Sequence, residues 1–145
     1  MLVQAILKSK AGSGVVTVEP SASVSQAAAI LAENRIGTVI VSEDGGQTAS
    51  GILSERDIVR ELAASGSGCL DKPVSTYMTK KLVTASQQDS VESILSQMTE
   101  GRFRHMPVLE EGKLVGIVTL GDAVKAQLAE LAMEKDALEG MIMGH

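Results

Sequence analysis

The residues best equipped for chemistry come as a pair of pairs, Ser54 with Asp57 and Thr119 with Asp122. They lie in Gly51-Ile52-Leu53-Ser54-Glu55-Arg56-Asp57 and in Gly116-Ile117-Val118-Thr119-Leu120-Gly121-Asp122. In each, an apolar, strand-like run ends in a hydroxyl, and an aspartate follows three positions later as a helix begins. A hydroxyl at a strand end both donates and accepts, and a carboxylate on the first helical turn can accept two hydrogens from a vicinal diol. The free N–H groups and partial positive charge of the helix N-terminus beside it suit a phosphate. Together these groups fit a phosphorylated sugar. A purely structural reading competes with this one, because a hydroxyl with an acidic residue three positions later is also the pattern of a helix capping box.

The elements that must position these pairs are themselves repeated. Val16-Thr17 lies over Val83-Thr84, Ser23-Val24 over Ser90-Val91, Leu31 over Met98, Arg35 over Arg102 and Val41 over Val108, each pair 67 residues apart. Beyond the turns the offset falls to 65, with Gly51 over Gly116 and Asp57 over Asp122, so the first copy has the longer hairpin. Each copy predicts an extended segment (residues 15–18 and 82–85), then a helix with a Ser-rich start, then two strands about a glycine turn, then a closing helix. The strands are expected at 38–41 and 51–53 in the first copy, and at 106–109 and 114–118 in the second. Val24, Ala27, Ala28 and Leu31, and later Val91, Ile94, Leu95 and Met98, form the stripe of a core-facing helix. The unit is β-α-β-β-α, an α/β (α+β) arrangement. One such unit is too small to hide its own apolar faces, so two packed sheet to sheet with pseudo-two-fold symmetry are expected.

The first unit is assigned to residues 3–64, a polar linker to 65–73, the second unit to 74–131 and a helical tail to 132–145. Short helices at 3–7 and 74–78 are read as opening the two units. The last helix is expected to run to about residue 139, far past its counterpart in the first unit. On it Val124, Leu128, Leu131, Leu138 and Ile142 alternate in steps of four and three, interrupted at Lys135, which reads as a self-association face, the alternative being a helix folded back over its own domain.

Composition narrows the function classes. With 44% hydrophobic and 21% charged residues the chain folds, and with aromatics at 1% its core must come from Val, Ile, Leu, Ala and Met. A net charge of −5 argues against nucleic acid as the main partner, since phosphate backbones need a basic face. Cys69 is alone in a polar loop, so no internal disulfide forms and a reducing compartment is expected. Residues 1–7 are interrupted by Gln4 and followed by lysines, too short an apolar run for a signal peptide or a membrane span. A cytoplasmic location follows as the expectation. Catalysis would require a nucleophile with its base, or a metal cluster. His105 and His145 are the only histidines, Cys69 is isolated, the acidic residues are dispersed, and no glycine-rich nucleotide fingerprint is present, so neither an enzyme nor a metal site is expected.

The duplicated hydroxyl and aspartate, the Val-Thr that starts each copy, and the run Arg102-Phe103-Arg104-His105-Met106-Pro107-Val108 make the chain resemble a stand-alone pair of CBS domains. These are the regulatory modules first described in cystathionine beta-synthase, and a pair of them is called a Bateman module. The resemblance covers residues 3 to about 131. It implies binding of AMP, ADP or ATP, or of NAD or S-adenosylmethionine, in two clefts between the repeats. It also implies a disc-like homodimer and, with no effector domain attached, a regulated partner in trans.

Carried over residue by residue, the resemblance builds the first cleft from Ser54, Arg56 and Asp57 with Val83, Thr84, Phe103, Arg104, His105, Met106 and Pro107. It builds the second from Thr119 and Asp122 with Val16, Thr17, Ile36, Gly37 and Thr38. Asp57 would accept both ribose hydroxyls, Ser54, Arg56 and His105 would meet phosphate, and Val83 and Met106 would flank the adenine. The second cleft has Gly121 where the first has Arg56, and Gly37-Thr38 where the first has Arg104-His105. It is therefore expected to be weak, empty or suited to an uncharged adenosine. The alternative to a sensor is a dimerisation scaffold without ligand.

Overall fold

The computed structural model of the chain describes residues 1–10 and 14–143, so the last two residues of the tail lie outside it. The order is α1 (Val3–Ser9), β1 (Thr17–Val18), α2 (Val24–Asn34), β2 (Thr38–Val41), β3 (Gly51–Ser54), α3 (Glu55–Ser65), α4 (Val91–Gly101), β4 (His105–Glu110), β5 (Lys113–Thr119) and α5 (Leu120–Ile142). The architecture is α+β, a β-α-β-β-α unit followed by a second copy whose first strand is reduced to a single bridge and whose last helix is long. Short 3₁₀ turns at Ser67–Asp71 and Val74–Thr76 join the copies, and the second is briefer than the helix expected at 74–78.

The first sheet has the order β1-β2-β3, with β1 parallel and β3 antiparallel to β2. The second contains only the antiparallel pair β4-β5. The extended segment expected at 82–85 reaches it through a single parallel bridge, Ala85 to Val108. Only Ala85 of that segment is buried, while Val83 and Thr84 are exposed, so little apolar burial holds the rest against the sheet. The longer first hairpin is tied by Asp44, whose carboxylate accepts from Thr48 N and Oγ1 at 2.8 and 2.7 Å and from Ser42 Oγ at 2.8 Å. Those bonds, the Thr48 hydroxyl first, hold its pKa at about 2.

Helix starts follow the sequence closely. Ser23 caps α2 in a capping box with Gln26, and the Ser90 side chain accepts from Ser93 N at the start of α4. Two apolar clusters form, one per sheet, and their membership is crossed. Val3 and Ile6 of α1 pack with Val91, Ile94, Met98, Val108 and Val118 of the second copy. Val74, with Tyr77 and Met78, packs with Val24, Leu31, Val39 and Leu53 of the first. Backbone bonds fix the exchange: Val3 N donates to Asp89 O at 2.9 Å, and Val74 N donates to Ala22 O at 2.8 Å. Each opening segment therefore completes the core of the other copy, which the order of the chain does not disclose.

Two glycines permit this contact. A Cβ on Gly51 would lie 2.6 Å from Met78 Sδ and 3.0 Å from Thr79 O, and one on Gly116 would lie 2.6 Å from Leu7 Cδ2. The two positions are equivalent, and each accepts the opening segment against its strand. Cys69, expected in a polar loop, is buried instead and anchors the turn between the copies.

Candidate functional site: two clefts between the repeats

Two clefts lie between the copies, of about 400 Å³ and about 560 Å³, and each takes residues from both. The first is lined by Ser54, Arg56 and Asp57 at the start of α3 and by Val83, Phe103, Arg104, His105 and Pro107 of the second copy. The structure thus brings together most of the residues that the sequence assigns to this cleft. Two are not brought in. Met106 is fully buried in the second core, because alternation along β4 turns it to the sheet face opposite His105 and Pro107. It cannot flank an adenine. Thr84 is exposed and does not line the cleft.

The charge of the first cleft exceeds the sequence-based expectation. Arg60, Lys81 and Arg102 join Arg56 and Arg104 around it, five permanent cations against the carboxylates of Glu55 and Asp57. The apolar part of the lining comes from Ile52, Leu82, Val83, Phe103 and Pro107. Arg60 lies one helical turn after Asp57 and was findable from that spacing. Lys81 reaches the cleft through an irregular segment that no periodicity predicts.

Both hydroxyl and aspartate pairs form capping boxes. Asp57 Oδ2 accepts from Ser54 N at 2.9 Å while Ser54 Oγ accepts from Asp57 N at 3.1 Å. Thr119 and Asp122 repeat the pattern at 3.0 Å in both directions. The structural reading of these pairs is thus correct, and it leaves one question open at each aspartate: where its remaining acceptor capacity goes. At Asp57 the other oxygen faces Arg60 at 3.6 Å, a loose ion pair at the edge of the cleft. At Asp122, Lys10 Nζ donates to Oδ2 at 2.8 Å and also to Ile117 O at 3.1 Å. Burial raises the Asp122 pKa, but the Lys10 and Thr119 hydrogen bonds together hold it below the ordinary carboxylate value.

Lys10 also lines the second cleft, with Arg35, Val16, Ile36, Gly37, Thr38, His105 and Thr119. Asp122 and Thr17, both assigned to this cleft from sequence, are not among its lining residues. Asp122 is tied down by Lys10, and the Thr17 side chain is turned toward the hairpin glycine Gly46. The expectation of a charge-poor second cleft needs correction, since Lys10 and Arg35 supply cations from helix ends outside the aligned strand motifs.

His105 belongs to both clefts, as do Gly37 and Thr38. Its Nδ1 lies 3.1 Å from Thr38 Oγ1, and the two residues occupy equivalent positions 67 apart, so their hydrogen bond joins the copies where the clefts share a wall. Burial lowers the His105 pKa, with Arg104 adding to the effect, so the ring is neutral near pH 7 and contributes hydrogen bonds rather than charge. Among the described residues no group of three or more His, Cys, Asp or Glu could hold a metal ion, and no helix is long and apolar enough to cross a membrane.

Known proteins resemble this chain in sequence and in fold. The mitochondrial CBS domain-containing protein CBSX3 of Arabidopsis thaliana is 32% identical over 79% of this chain, which spans 57% of the length of that relative. Among solved structures, a CBS-domain containing protein of Agrobacterium tumefaciens is 41% identical, with a TM-score of 0.82 over 88% of this chain and 99% of that one. A CBS domain protein of Pyrobaculum aerophilum, complexed with AMP, is 26% identical with a TM-score of 0.78, covering 92% of this chain and 99% of its own. The CBS domain pair of protein MJ0100, complexed with 5-methylthioadenosine and S-adenosyl-L-methionine, is 25% identical with a TM-score of 0.77, covering 90% and 98%. The model of the CBS domain matches residues 11–64 and again residues 74–129, so this chain belongs to the CBS-domain family and carries two copies of the domain.

Proposed function

We propose that the chain is a non-catalytic sensor that binds an adenosine nucleotide between its repeats and signals occupancy to a partner in trans. AMP, ADP, ATP and NAD are the candidate ligands. The observation that carries the reading is the composition of the first cleft, where five cations and an apolar lining meet the capped start of α3. Asp57 accepts the ribose hydroxyls through the carboxylate capacity that its capping bond leaves over. Ser54, Arg56 and Arg104 meet phosphate, with His105 as a neutral donor, and Val83 lies against the adenine. Support also comes from the adenosine compounds bound by the solved relatives from Pyrobaculum aerophilum and of protein MJ0100.

The chain acts as a homodimer in this reading. The exposed apolar residues Val124, Leu128, Leu131, Leu138 and Ile142 of α5 supply the contact. A ligand-free scaffold is the second reading. It is favoured by one observation, that both hydroxyl and aspartate pairs are already employed in capping their helices.

A thermal-shift screen of AMP, ADP, ATP, NAD and S-adenosylmethionine separates the two. A single site filled at a hundredfold excess over Kd adds about 2.7 kcal/mol. That raises the melting temperature of a domain this size by roughly 5 °C or more. A flat response to every compound selects the scaffold.

A further inference from the structure

The backbone holds two arginines in a conformation that favours glycine. Arg35 ends α2 with φ 54° and ψ 44°, and Arg102 ends α4 with φ 56° and ψ 40°, both left-handed. At this position a Cβ crowds the carbonyl oxygen that follows, which is why helices that end this way usually place glycine there. Glu111, in a hairpin turn, is the only other described non-glycine residue with positive φ. The two arginines are equivalent, 67 residues apart, so the same backbone cost is retained in both copies.

Their placement supplies a reason. Arg102 lines the first cleft and Arg35 lines the second. Both are exposed, and among the described residues neither has an ion-pair partner. Each guanidinium therefore stands at a cleft with its donors uncommitted, five N–H groups in a planar fork that matches phosphate. Glu111 sits in a two-residue hairpin turn, where positive φ is ordinary, whereas strain kept at equivalent helix ends beside two clefts points from conformation to use.

We propose that Arg102 and Arg35 are an equivalent pair of phosphate-recognition residues, one to each cleft, which makes both clefts sites for phosphorylated rather than plain adenosine ligands. This rests on the nucleotide-sensor reading above and adds to it the residues that select the ligand's charge. In the first cleft Arg102 acts beside Arg56, Arg60, Lys81 and Arg104, a cation count suited to more than one phosphate group. In the second it is Arg35 with Lys10.

The test uses the full chain and its Arg102→Gly, Arg35→Gly and Arg102→Lys variants, titrated by calorimetry with adenosine, AMP and ATP and unfolded with urea in the absence of ligand. Glycine suits the left-handed cap, so both glycine variants are expected to be no less stable than the parent. Their affinity for AMP or ATP is expected to fall tenfold or more at one cleft, with adenosine affinity unchanged and the lysine variant intermediate. AMP and ATP affinities that survive both glycine substitutions overturn the proposal, as does an equal loss for adenosine. If the parent binds none of the three compounds, nor ADP or NAD in the same titration, the sensor reading falls and this proposal falls with it. Binding by the parent that is indifferent to the arginines removes this proposal alone.

Discussion

Asp57 and Asp122 occupy the same place in their repeats, and replacing each with alanine should produce opposite patterns of loss. Asp57 Oδ2 accepts the Ser54 N–H at 2.9 Å, and its other oxygen meets Arg60, among the described residues, at 3.6 Å. Alanine removes one capping bond, at a cost of about 1 kcal/mol in stability. The Arg60 pair adds little, because its guanidinium is 69% exposed and an exposed pair contributes little. If the carboxylate also grips a ribose, the lost charged hydrogen bonds cost roughly 1.5 to 3 kcal/mol of binding. That is about a ten- to a hundredfold rise in Kd.

Asp122 inverts the balance. Its carboxylate serves Thr119 N at 3.0 Å and Lys10 Nζ at 2.8 Å, with both side chains of the ion pair only about a quarter exposed. Alanine there removes two charged bonds, from Thr119 N and from Lys10 Nζ, a loss of about 1 to 3 kcal/mol in stability. The effect on ligand binding is expected to be small, since Asp122 does not line the cleft. Urea denaturation gives the stability difference, and calorimetry with AMP gives the affinity. The reasoning is refuted if Asp57→Ala lowers stability but leaves affinity untouched, for then the aspartate is a cap and nothing more.

Other expectations follow from the same geometry. Ile6→Ala should cost about 2 to 5 kcal/mol in urea denaturation despite its place near the start of the chain, because the side chain is packed in the second core. A cost below about 1 kcal/mol would contradict the crossed packing. Gly51→Ala should destabilise the protein more than Gly116→Ala, since its Cβ meets the backbone oxygen of Thr79 whereas the Leu7 side chain can turn away. Replacing Leu128 and Leu131 with glutamate should yield a monomer by light scattering if α5 forms the dimer contact. For His105, burial and then Arg104 lower the pKa, with Lys10 in the same direction and Asp122 and Glu55 opposed. The unfolded chain therefore takes up the proton first, and stability present above about pH 6.5 is lost as pH falls below that value. His105→Asn should flatten the dependence between pH 7 and 5, and an unchanged slope would assign it to other groups.

How much of this was legible in the sequence depends on whether the signal was local. The hydroxyl and aspartate pairs, the serine caps and the apolar stripes of α2 and α4 are set by neighbours within one or two helical turns, and they appear where the pattern places them. Met106 was misplaced because a motif read as a continuous run ignores the alternation of a strand. Lys10 and the crossing of α1 were not legible at all. Their partners, Asp122 and the second core, lie at the far end of the chain, and nothing in a seven-residue helix says which of two similar sheets it will cover. The arginines at 35 and 102 were visible as a repeated pair, but the reason for their repetition needed the backbone angles.

The hydrogen bond between Thr38 and His105 explains why the domain is used as a pair. A residue that bonds to its own counterpart must lie close to the axis relating the two copies, and here the bond is 3.1 Å long. Every cleft beside that axis is then built partly from one repeat and partly from the other, as the linings of both clefts are. A single repeat would present an incomplete lining of each cleft to water and would also lose the opening segment that completes its core. Divergence at the axis, threonine on one side and histidine on the other, is shared by both clefts and cannot by itself make them different. Their inequality must come from off the axis, where Asp57 keeps an oxygen toward Arg60 while Asp122 is held by Lys10.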